Sequence, residues 1–256
     1  MSPYGFMPPG EPRFGELGDA YDTYRVGYTP SVYEYLARVC GLGPGIDVVD
    51  LGCGTGLSTR PLLERAATVV GVDADAEMLA IAERRLDGGA QLVLGRAEAL
   101  PLPDHSADLV VVAQAAHFFD EPAANDEILR VLRPGGAVAY LWKYPAPETP
   151  YTYLVDELMS LLTNEPIRTV YGVGTVPELL RPCWRDYRRD VFDQPVAYTV
   201  ESYVGYISSR DRVRQIAGDR RDALLETLSE RLGALEPSGA FVERNLAFVV
   251  TARSVD

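Results

Sequence analysis

A hydrophobic run that stops at a cluster of glycines constrains this chain more than any other feature. The stretch VVDLGCGTG fills residues 48–56, and the β-branched residues before the glycines predict a buried strand over 46–51. Glycines at alternate positions, Gly52, Gly54 and Gly56, predict a tight turn in which the backbone approaches a ligand closely. A helical pattern follows. A strand, a glycine turn and a helix are typical of the first unit of a nucleotide-binding α/β sheet.

The same alternation of strand and helix continues from residue 30 to about 143. Because helices separate the strands, the pattern predicts parallel βαβ units in a doubly wound, mostly parallel, Rossmann-like sheet. Two later strands would complete a sheet of seven. The predicted strands after the first are 68–72, 91–94, 109–114, 137–142, 191–200 and 241–253.

The predicted organisation is a flexible tail over 1–16 and a single domain over 17–256. The tail is rich in proline and glycine and has neither the basic start nor the apolar run of a signal peptide. Ligands of such sheets bind outside the carboxyl ends of the strands, so a helical lid is expected over that edge. The core is predicted at 30–144, 187–200 and 240–253, and the lid at 17–29, 145–186 and 201–236.

Net charge and cysteine content limit the kinds of partner that this protein is expected to bind. A net charge of −13 over 256 residues opposes binding to nucleic-acid phosphates. The three cysteines form no CxxC pair, so we expect no metal site. Apolar runs stay below the about 18 residues that cross a bilayer. We therefore expect a cytoplasmic protein that binds a small molecule, with neither nucleic acid nor membrane as a partner; composition says nothing of oligomeric state.

The glycine turn fits two kinds of ligand. In a GxGxxG dinucleotide site a third glycine is needed where this chain has Leu57. Asp50, at the strand end, would repel a pyrophosphate but suits an ammonium group, and the backbone N–H groups of the turn suit a carboxylate. An amino-acid moiety carries both charges. Asp73, after the second strand, suits ribose hydroxyls in either case.

Several further stretches agree in order and spacing with one family. VVDLGCGTG together with GVDADAEML (71–79), GRAEALPLPDHSADLVV (95–111) and EILRVLRPGGAVAYLW (127–142) resembles the class I S-adenosylmethionine-dependent methyltransferases. The resemblance covers about 17–144. It is closer to small-molecule members of the trans-aconitate methyltransferase type, through YDTYRVGYTP, AQAAHFFD and YTVESYVGYISS.

The resemblance implies a site for S-adenosyl-L-methionine, with S-adenosyl-L-homocysteine as product. The glycines would hold the amino-acid end, Asp73 the ribose, and Arg25 the methionine carboxylate, although a packed surface helix explains its tyrosine-rich segment equally well. Arg96 departs from the family, because relatives carry an aspartate there that accepts from adenine; Glu98 is the candidate replacement. The implied cofactor-binding residues are Tyr24, Arg25, Asp50, Gly52, Gly54, Gly56, Asp73, Ala74, Met78, Ala97, Glu98 and Gln114.

His117 is the candidate catalytic residue. It follows the fourth strand at the ligand-binding edge, whereas His105 is expected on the surface. With an ordinary pKa near 6.5 it can accept a proton from a hydroxyl, orient an acceptor carboxylate, or merely hold its loop. Lys143 either attracts an anion or points into solvent. The expected acceptor-binding residues are Tyr28, His117, Phe118, Trp142 and Tyr144.

Methyl transfer to an oxygen of a small metabolite, as carboxylate or hydroxyl, is therefore the predicted function. Two alternatives keep the same fold and cofactor. One is a non-methylating enzyme, such as a cyclase, and the other is a non-catalytic cofactor-binding module. A dehydrogenase that uses NAD is a more distant alternative, because the third glycine is missing.

Overall fold

The computed structural model describes residues 18–147, 149–166 and 176–255, so the predicted tail over 1–16 lies outside the described residues. Its strands form one seven-stranded sheet in the order β3-β2-β1-β4-β5-β7-β6, which confirms the predicted fold class. The strands are β1 Asp47–Leu51, β2 Thr68–Asp73, β3 Gln91–Leu94, β4 Ala107–Ala113, β5 Leu132–Pro145, β6 Trp184–Thr199 and β7 Ala240–Ser254.

Helices cover both faces of the sheet and build the lid. Among them, α4 is capped by Asp75, whose side chain accepts from the N–H groups of Glu77 and Met78. The helices are α1 Gly18–Tyr24, α2 Pro30–Cys40, α3 Thr59–Leu63, α4 Ala76–Leu86, α5 Glu121–Val131, α6 Pro150–Thr163, α7 Val200–Ser208, α8 Asp211–Ala217 and α9 Arg221–Leu235.

Strand directions divide the sheet into two parts. The strands β1 to β5 pair in parallel, so their carboxyl ends meet at one edge. The last strand, β7, runs antiparallel between β5 and β6, and Pro145 at the end of β5 lies opposite Asn245. The edge where ligands of doubly wound sheets bind is therefore bordered on one side by β7.

Two predicted strands are longer in the structure. β5 begins at Leu132, which pairs with Ala107, and includes the turn residues Pro134 to Gly136. β6 begins at Trp184, within the range predicted as lid, although its first half is rich in charge. An edge strand with one neighbour exposes alternate side chains to water, so its sequence lacks the apolar run of a buried strand.

Three apolar clusters hold these layers together. One, which includes Val110 and Ile128, fills the α5 side of the sheet, and a second, which includes Leu36 and Leu141, fills the α2 side. The third belongs to the lid and contains Tyr203 of α7 and Phe241 of β7. No helix among the described residues is long and apolar enough to span a membrane.

Candidate active site

The glycine turn lies at the end of β1 and depends on backbone shape. Gly52 has φ of +73°, and a Cβ built there would lie 2.4 Å from Cβ of Ala115. The N–H of Gly52 donates to Val72 O at 2.8 Å, and that of Gly54 to Asp73 Oδ2 at 2.8 Å. Because these N–H groups are used within the protein, the two glycines serve the site by allowing close approach and not as free donors.

Asp73, at the end of β2, is held by two backbone donors. Its Oδ2 accepts from Gly54 N, and its Oδ1 accepts from Asp75 N at 2.9 Å. Burial raises the pKa of Asp73, although these hydrogen bonds lower it in part. Each carboxylate oxygen keeps a second lone pair, so the fixed side chain can still accept from hydroxyl groups.

Asp50 is completely buried beneath the same turn. Its Oδ2 accepts from Ser58 Oγ at 2.8 Å and from Thr59 Oγ1 at 2.6 Å. Its Oδ1 has no hydrogen-bond partner among the described residues, and burial raises the pKa of Asp50 to about 6. A carboxylate oxygen without a partner beside the turn fits the ammonium group of an amino-acid moiety, the ligand group predicted for Asp50 from its place at the strand end.

Two tyrosine hydroxyls, like Oδ1 of Asp50, are buried without a hydrogen-bond partner in the described part of the chain. The hydroxyls of Tyr28 and Tyr33 are buried and lack partners among the residues that the structure describes. Burial is the main cause that raises the pKa of Tyr28, and neighbouring phenols, including that of Tyr144, raise it further. The charge of Asp50 makes a smaller contribution to the same rise in the pKa of Tyr28.

Residues 25–29, here called the strap, connect α1 to α2 across the strand ends. Nζ of Lys143 donates to the carbonyls of Val26 and Gly27, so Lys143 neither points into solvent nor stands free to attract an anion. Burial lowers the pKa of Lys143 to about 7. Thr29 stands before α2, where its hydroxyl bonds Ser31 and does not cap the helix backbone, although a threonine before Pro30 predicts such a cap.

The aromatic segment before the strap packs against the lid. Nε of Arg25 donates to Ser209 Oγ at 3.0 Å, and its guanidinium lies 4.8 Å and 5.0 Å from the ring centroids of Tyr21 and Tyr206. Tyr24 contacts Gly205, where a Cβ would lie 2.5 Å from its ring. In this arrangement Arg25 and Tyr24 join α1 to α7, and their predicted contacts with the cofactor stay predictions.

His117 lies in a single 3₁₀ turn, Ala116–Phe118, directly after β4. Its ring packs on Phe118 with centroids 4.0 Å apart and keeps exposed surface. Among the described residues, no group forms a hydrogen bond with the ring. Desolvation lowers the pKa of His117 to about 4, and although water reaches part of the ring, this direction leaves the imidazole neutral at pH 7.

Gln114 precedes this turn in a strained conformation. It has φ of +56°, which costs a residue with a side chain roughly 1 kcal/mol. Its Nε2 donates to Lys143 O at 2.8 Å and its N–H to Leu141 O at 2.9 Å. Gln114 thus ties the end of β4 to the end of β5 and fixes where the His117 turn begins.

The predicted adenine side is built from β3 and the loop after it. Met78 and Ala97 are buried, and Cε of Met78 lies 3.4 Å from the position of a Cβ on Gly54. Oε1 of Glu98 accepts from Asp120 N at 3.0 Å, while its Oε2 lies 3.4 Å from Nε of Arg96. Glu98 is therefore held at the edge of the crevice, with lone pairs left for a donor.

The predicted acceptor side is aromatic. Trp142 stacks on Tyr140 with centroids 5.8 Å apart, and Tyr144 packs at a tilt on Phe248 at 6.3 Å. Phe118 is 38% exposed beside His117. Since side chains alternate along a strand, Trp142 and Tyr144 leave β5 on the side opposite to Lys143.

Sequence reasoning missed two buried polar residues, Gln194 on β6 and Glu243 on β7. Gln194 is 2% exposed and accepts from Thr29 N while it donates to Gly27 O. Both stand at inward-facing positions of alternating strands, between apolar residues such as Val196 and Phe241. A polar residue at such a position is the signal that could have marked them.

Comparison with known proteins agrees with this geometry. Residues 49–140 match the methyltransferase domain family. An uncharacterized methyltransferase of Mycobacterium tuberculosis is 42% identical over 129 residues, which are 50% of this chain and 51% of that protein. The chain thus spans about half the length of this relative. An uncharacterized methyltransferase of Schizosaccharomyces pombe is 24% identical over 213 residues, covering 82% of this chain and 83% of that protein.

Solved structures share the fold. A candidate type II methyltransferase of Anaeromyxobacter dehalogenans superposes with a TM-score of 0.69 at 23% identity, covering 91% of this chain and 98% of that one. The [4+2]-cyclase SpnF superposes with a TM-score of 0.53 at 17% identity, covering 95% and 97%.

The sheet order and the match of residues 49–140 to the methyltransferase domain agree with the class I S-adenosylmethionine-dependent methyltransferases. The likeness to the trans-aconitate type stays a prediction.

Proposed function

We propose that this protein transfers a methyl group from S-adenosyl-L-methionine to an oxygen of a small-molecule acceptor, as carboxylate or hydroxyl. The observation that carries the proposal is the hydrogen bonding of the two carboxylates beside the glycine turn. Asp50 keeps a buried oxygen without a partner among the described residues, and Asp73 is fixed by Gly54 and Asp75. One suits an ammonium and the other a ribose, and S-adenosylmethionine carries both groups.

The chain's own residues supply binding and orientation. When bound, the cofactor supplies an electrophilic methyl group on a sulfonium, and the protein supplies position and exclusion of water. Positioning of reacting groups can contribute roughly 7–11 kcal/mol in favourable cases. Tyr28, Phe118, Trp142 and Tyr144 would form the apolar wall on the acceptor side.

His117 would act as a neutral imidazole. A ring nitrogen without a proton can accept one from an acceptor hydroxyl, and this contributes roughly 10²–10⁴-fold to the rate. The other ring nitrogen, which carries a proton, can donate to an acceptor carboxylate and orient it. The low pKa of His117 keeps both roles available at neutral pH.

The second candidate is a non-methylating reaction such as a cyclisation. The observation that favours it is the fold shared with the [4+2]-cyclase SpnF. Fold alone does not select the chemistry, because one fold carries several reactions.

One experiment separates the candidates. The protein is incubated with methyl-labelled S-adenosylmethionine and a panel of carboxylic acids, phenols, alcohols and amines, and products are read by mass spectrometry. We expect labelled product and an equal amount of S-adenosylhomocysteine. Conversion of an acceptor without S-adenosylhomocysteine would favour a cyclase, and cofactor binding without conversion would favour a non-catalytic module. Binding of NAD but not of S-adenosylhomocysteine in calorimetry would refute the proposal.

A further inference from the structure

Glu243 lies inside the lid, at the edge of the sheet where the candidate site is found. Along β7, Ala247, Asn245 and Glu243 point to one face, and Asn245 is opposite Pro145, the last residue of β5. Glu243 is the next residue of β7 on that face after Asn245. It therefore lies beyond the carboxyl end of β5, and its side chain points inward. Its residue surface is 0% exposed.

The two carboxylate oxygens of Glu243 differ sharply. Oε1 accepts from Tyr203 Oη at 3.1 Å and from Thr149 Oγ1 at 3.5 Å. Oε2 is buried and has no hydrogen-bond partner among the described residues. Burial raises the pKa of Glu243 to about 7, and the side chain of Tyr203, the charge of Arg210 and the side chains of Asn245 and Thr149 oppose that rise.

The surroundings of Glu243 are aromatic. The ring of Tyr203 packs against Tyr198 at 5.1 Å and against Phe241 at 5.4 Å, and Tyr151 stacks on Phe241 at 4.1 Å. In such a layer an apolar side chain would pack without an electrostatic penalty, whereas an unmet carboxylate oxygen is costly.

A structural role explains the contacts of Oε1 of Glu243 but not the burial of Oε2. Through Oε1, Glu243 joins β7 to Tyr203 of α7 and to Thr149 at the start of α6. A glutamine or a threonine could make that connection without a buried charge. Oε2 contributes nothing to it and stays without a hydrogen-bond partner among the described residues.

The position of this oxygen indicates which molecule could supply its partner. Lys143, which holds the strap, lies opposite Ala247. Glu243 is four residues further along β7, which is about 13 Å at strand spacing. A group bound there would be remote from the residues that hold the cofactor, at the end of the site covered by the lid.

We propose that Oε2 of Glu243 accepts a hydrogen bond from a hydroxyl or amine group of the methyl acceptor. The acceptor then carries, besides the oxygen that is methylated, a remote hydrogen-bond donor. This rests on the proposed function in taking the ligand to be the methyl acceptor. Glu243 is in this view a specificity-determining residue.

The test compares matched pairs of acceptors that differ by one remote donor, such as alkyl or aryl carboxylic acids with and without a distal hydroxyl or amine. Binding to the protein loaded with S-adenosylhomocysteine is measured by saturation-transfer NMR and calorimetry, independently of turnover. Wild type should bind the donor-bearing member of at least one pair about tenfold or more tightly. Hydroxyl and amine pairs identify which donor is used.

Two variants, Glu243→Gln and Glu243→Leu, should reduce that preference to about twofold or less while leaving affinity for S-adenosylhomocysteine unchanged. Glu236→Gln is the matched control, because Glu236 accepts from Tyr151 in the same lid at 2.6 Å and plays no part in the proposed site. If Glu243→Leu does not fold, Glu243→Gln decides.

Two results would overturn the inference. One is equal binding of both members of every pair by wild type, as expected if Oε2 holds only a water molecule. The other is a preference that persists in a folded Glu243 variant. A preference that depends on Glu243 without any methyl transfer would refute the proposed function and leave the binding site standing.

Discussion

Thr29 and Gln194 are 165 positions apart in the chain and form a partly buried hydrogen bond, from Thr29 N to Gln194 Oε1 at 2.8 Å. The same amide donates to Gly27 O at 3.1 Å. A residue of β6 thereby holds the strap between α1 and α2 at two points. Lys143 of β5 holds it at Val26 and Gly27, so two strands fix the segment that carries Tyr28.

Gln194→Leu should therefore loosen the strap. Both hydrogen bonds are lost at a site that is 2% exposed, so we expect a loss of roughly 1–3 kcal/mol in the free energy of unfolding. Amide hydrogens of the strap should exchange faster, as measured by mass spectrometry of the peptide that covers 25–29. Gln91→Leu, at an exposed position on β3, is the control. Equal exchange in wild type and Gln194→Leu would contradict this role.

Asp73→Asn should weaken cofactor binding. The amide has one acceptor oxygen for the two backbone donors Gly54 N and Asp75 N, and it lacks the charge that strengthens hydrogen bonds from ribose. We expect affinity for S-adenosylhomocysteine to fall by about 1.5–3 kcal/mol in calorimetry. Asp75→Asn should bind normally, because asparagine also caps a helix. An Asp73→Asn protein with wild-type affinity would remove Asp73 from the site.

Asp50→Asn should change the pH dependence of stability. Burial raises the pKa of Asp50 from 3.8 to about 6, so the folded state holds a proton that the unfolded state releases between those values. Wild-type stability from this group therefore falls as pH rises from about 4 to about 6. At pH 7 the variant should be more stable by roughly 1–3 kcal/mol, and the difference should vanish near pH 4.

The control for this measurement is Asp47→Asn at the other end of β1. Hydrogen bonds from Thr68 and Arg133 lower the pKa of Asp47, so its contribution is present at neutral pH and lost as pH falls. Denaturant melts at several pH values should show opposite trends for the two variants. Parallel trends would mean that the Asp50 carboxyl is not held in its protonated form by folding.

His117→Asn tests the candidate catalytic residue through a pH profile. Because the pKa of His117 is lowered to about 4, wild-type kcat/KM should stay level through pH 6.5 and fall only in more acidic buffer. The variant should lose roughly 10²–10⁴-fold in kcat with hydroxyl acceptors, and less with carboxylates.

The chain offers a control in its other histidine. His105 bonds the Leu132 carbonyl through Nδ1 at 2.8 Å, before the start of β4 and so at the edge of the sheet opposite the candidate site. His105→Asn should keep both the rate and the acid limb. An acid limb that survives in His117→Asn would show that another group titrates there.

The parallel core was predictable because its signals are local. β1, β2 and β3 lie within a residue of their predicted bounds, and α4 begins after Asp75, a residue type that favours helix caps. Burial of parallel strands on both faces leaves apolar runs, and helix starts leave caps, so each element is marked by its own residues. The placement of His117 after β4 follows from the same rule.

The contacts that complete the site were not predictable in this way. The partners of Lys143, Gln194 and Arg25 lie more than a hundred residues away in sequence, and no local pattern specifies them. The internal use of the glycine N–H groups was also hidden, because it depends on how closely Val72 and Asp73 approach the turn.

The place of β7 between β5 and β6 sets an order of assembly. β6 pairs with β7 alone, so it has no strand to join until residues 240–254 have left the ribosome. The parallel half, with its glycine turn and both carboxylates, precedes that point in synthesis. A nascent chain could thus gain its pocket for the cofactor well before the lid layer around Glu243 is complete, and a bound cofactor could stabilise the incomplete sheet until then.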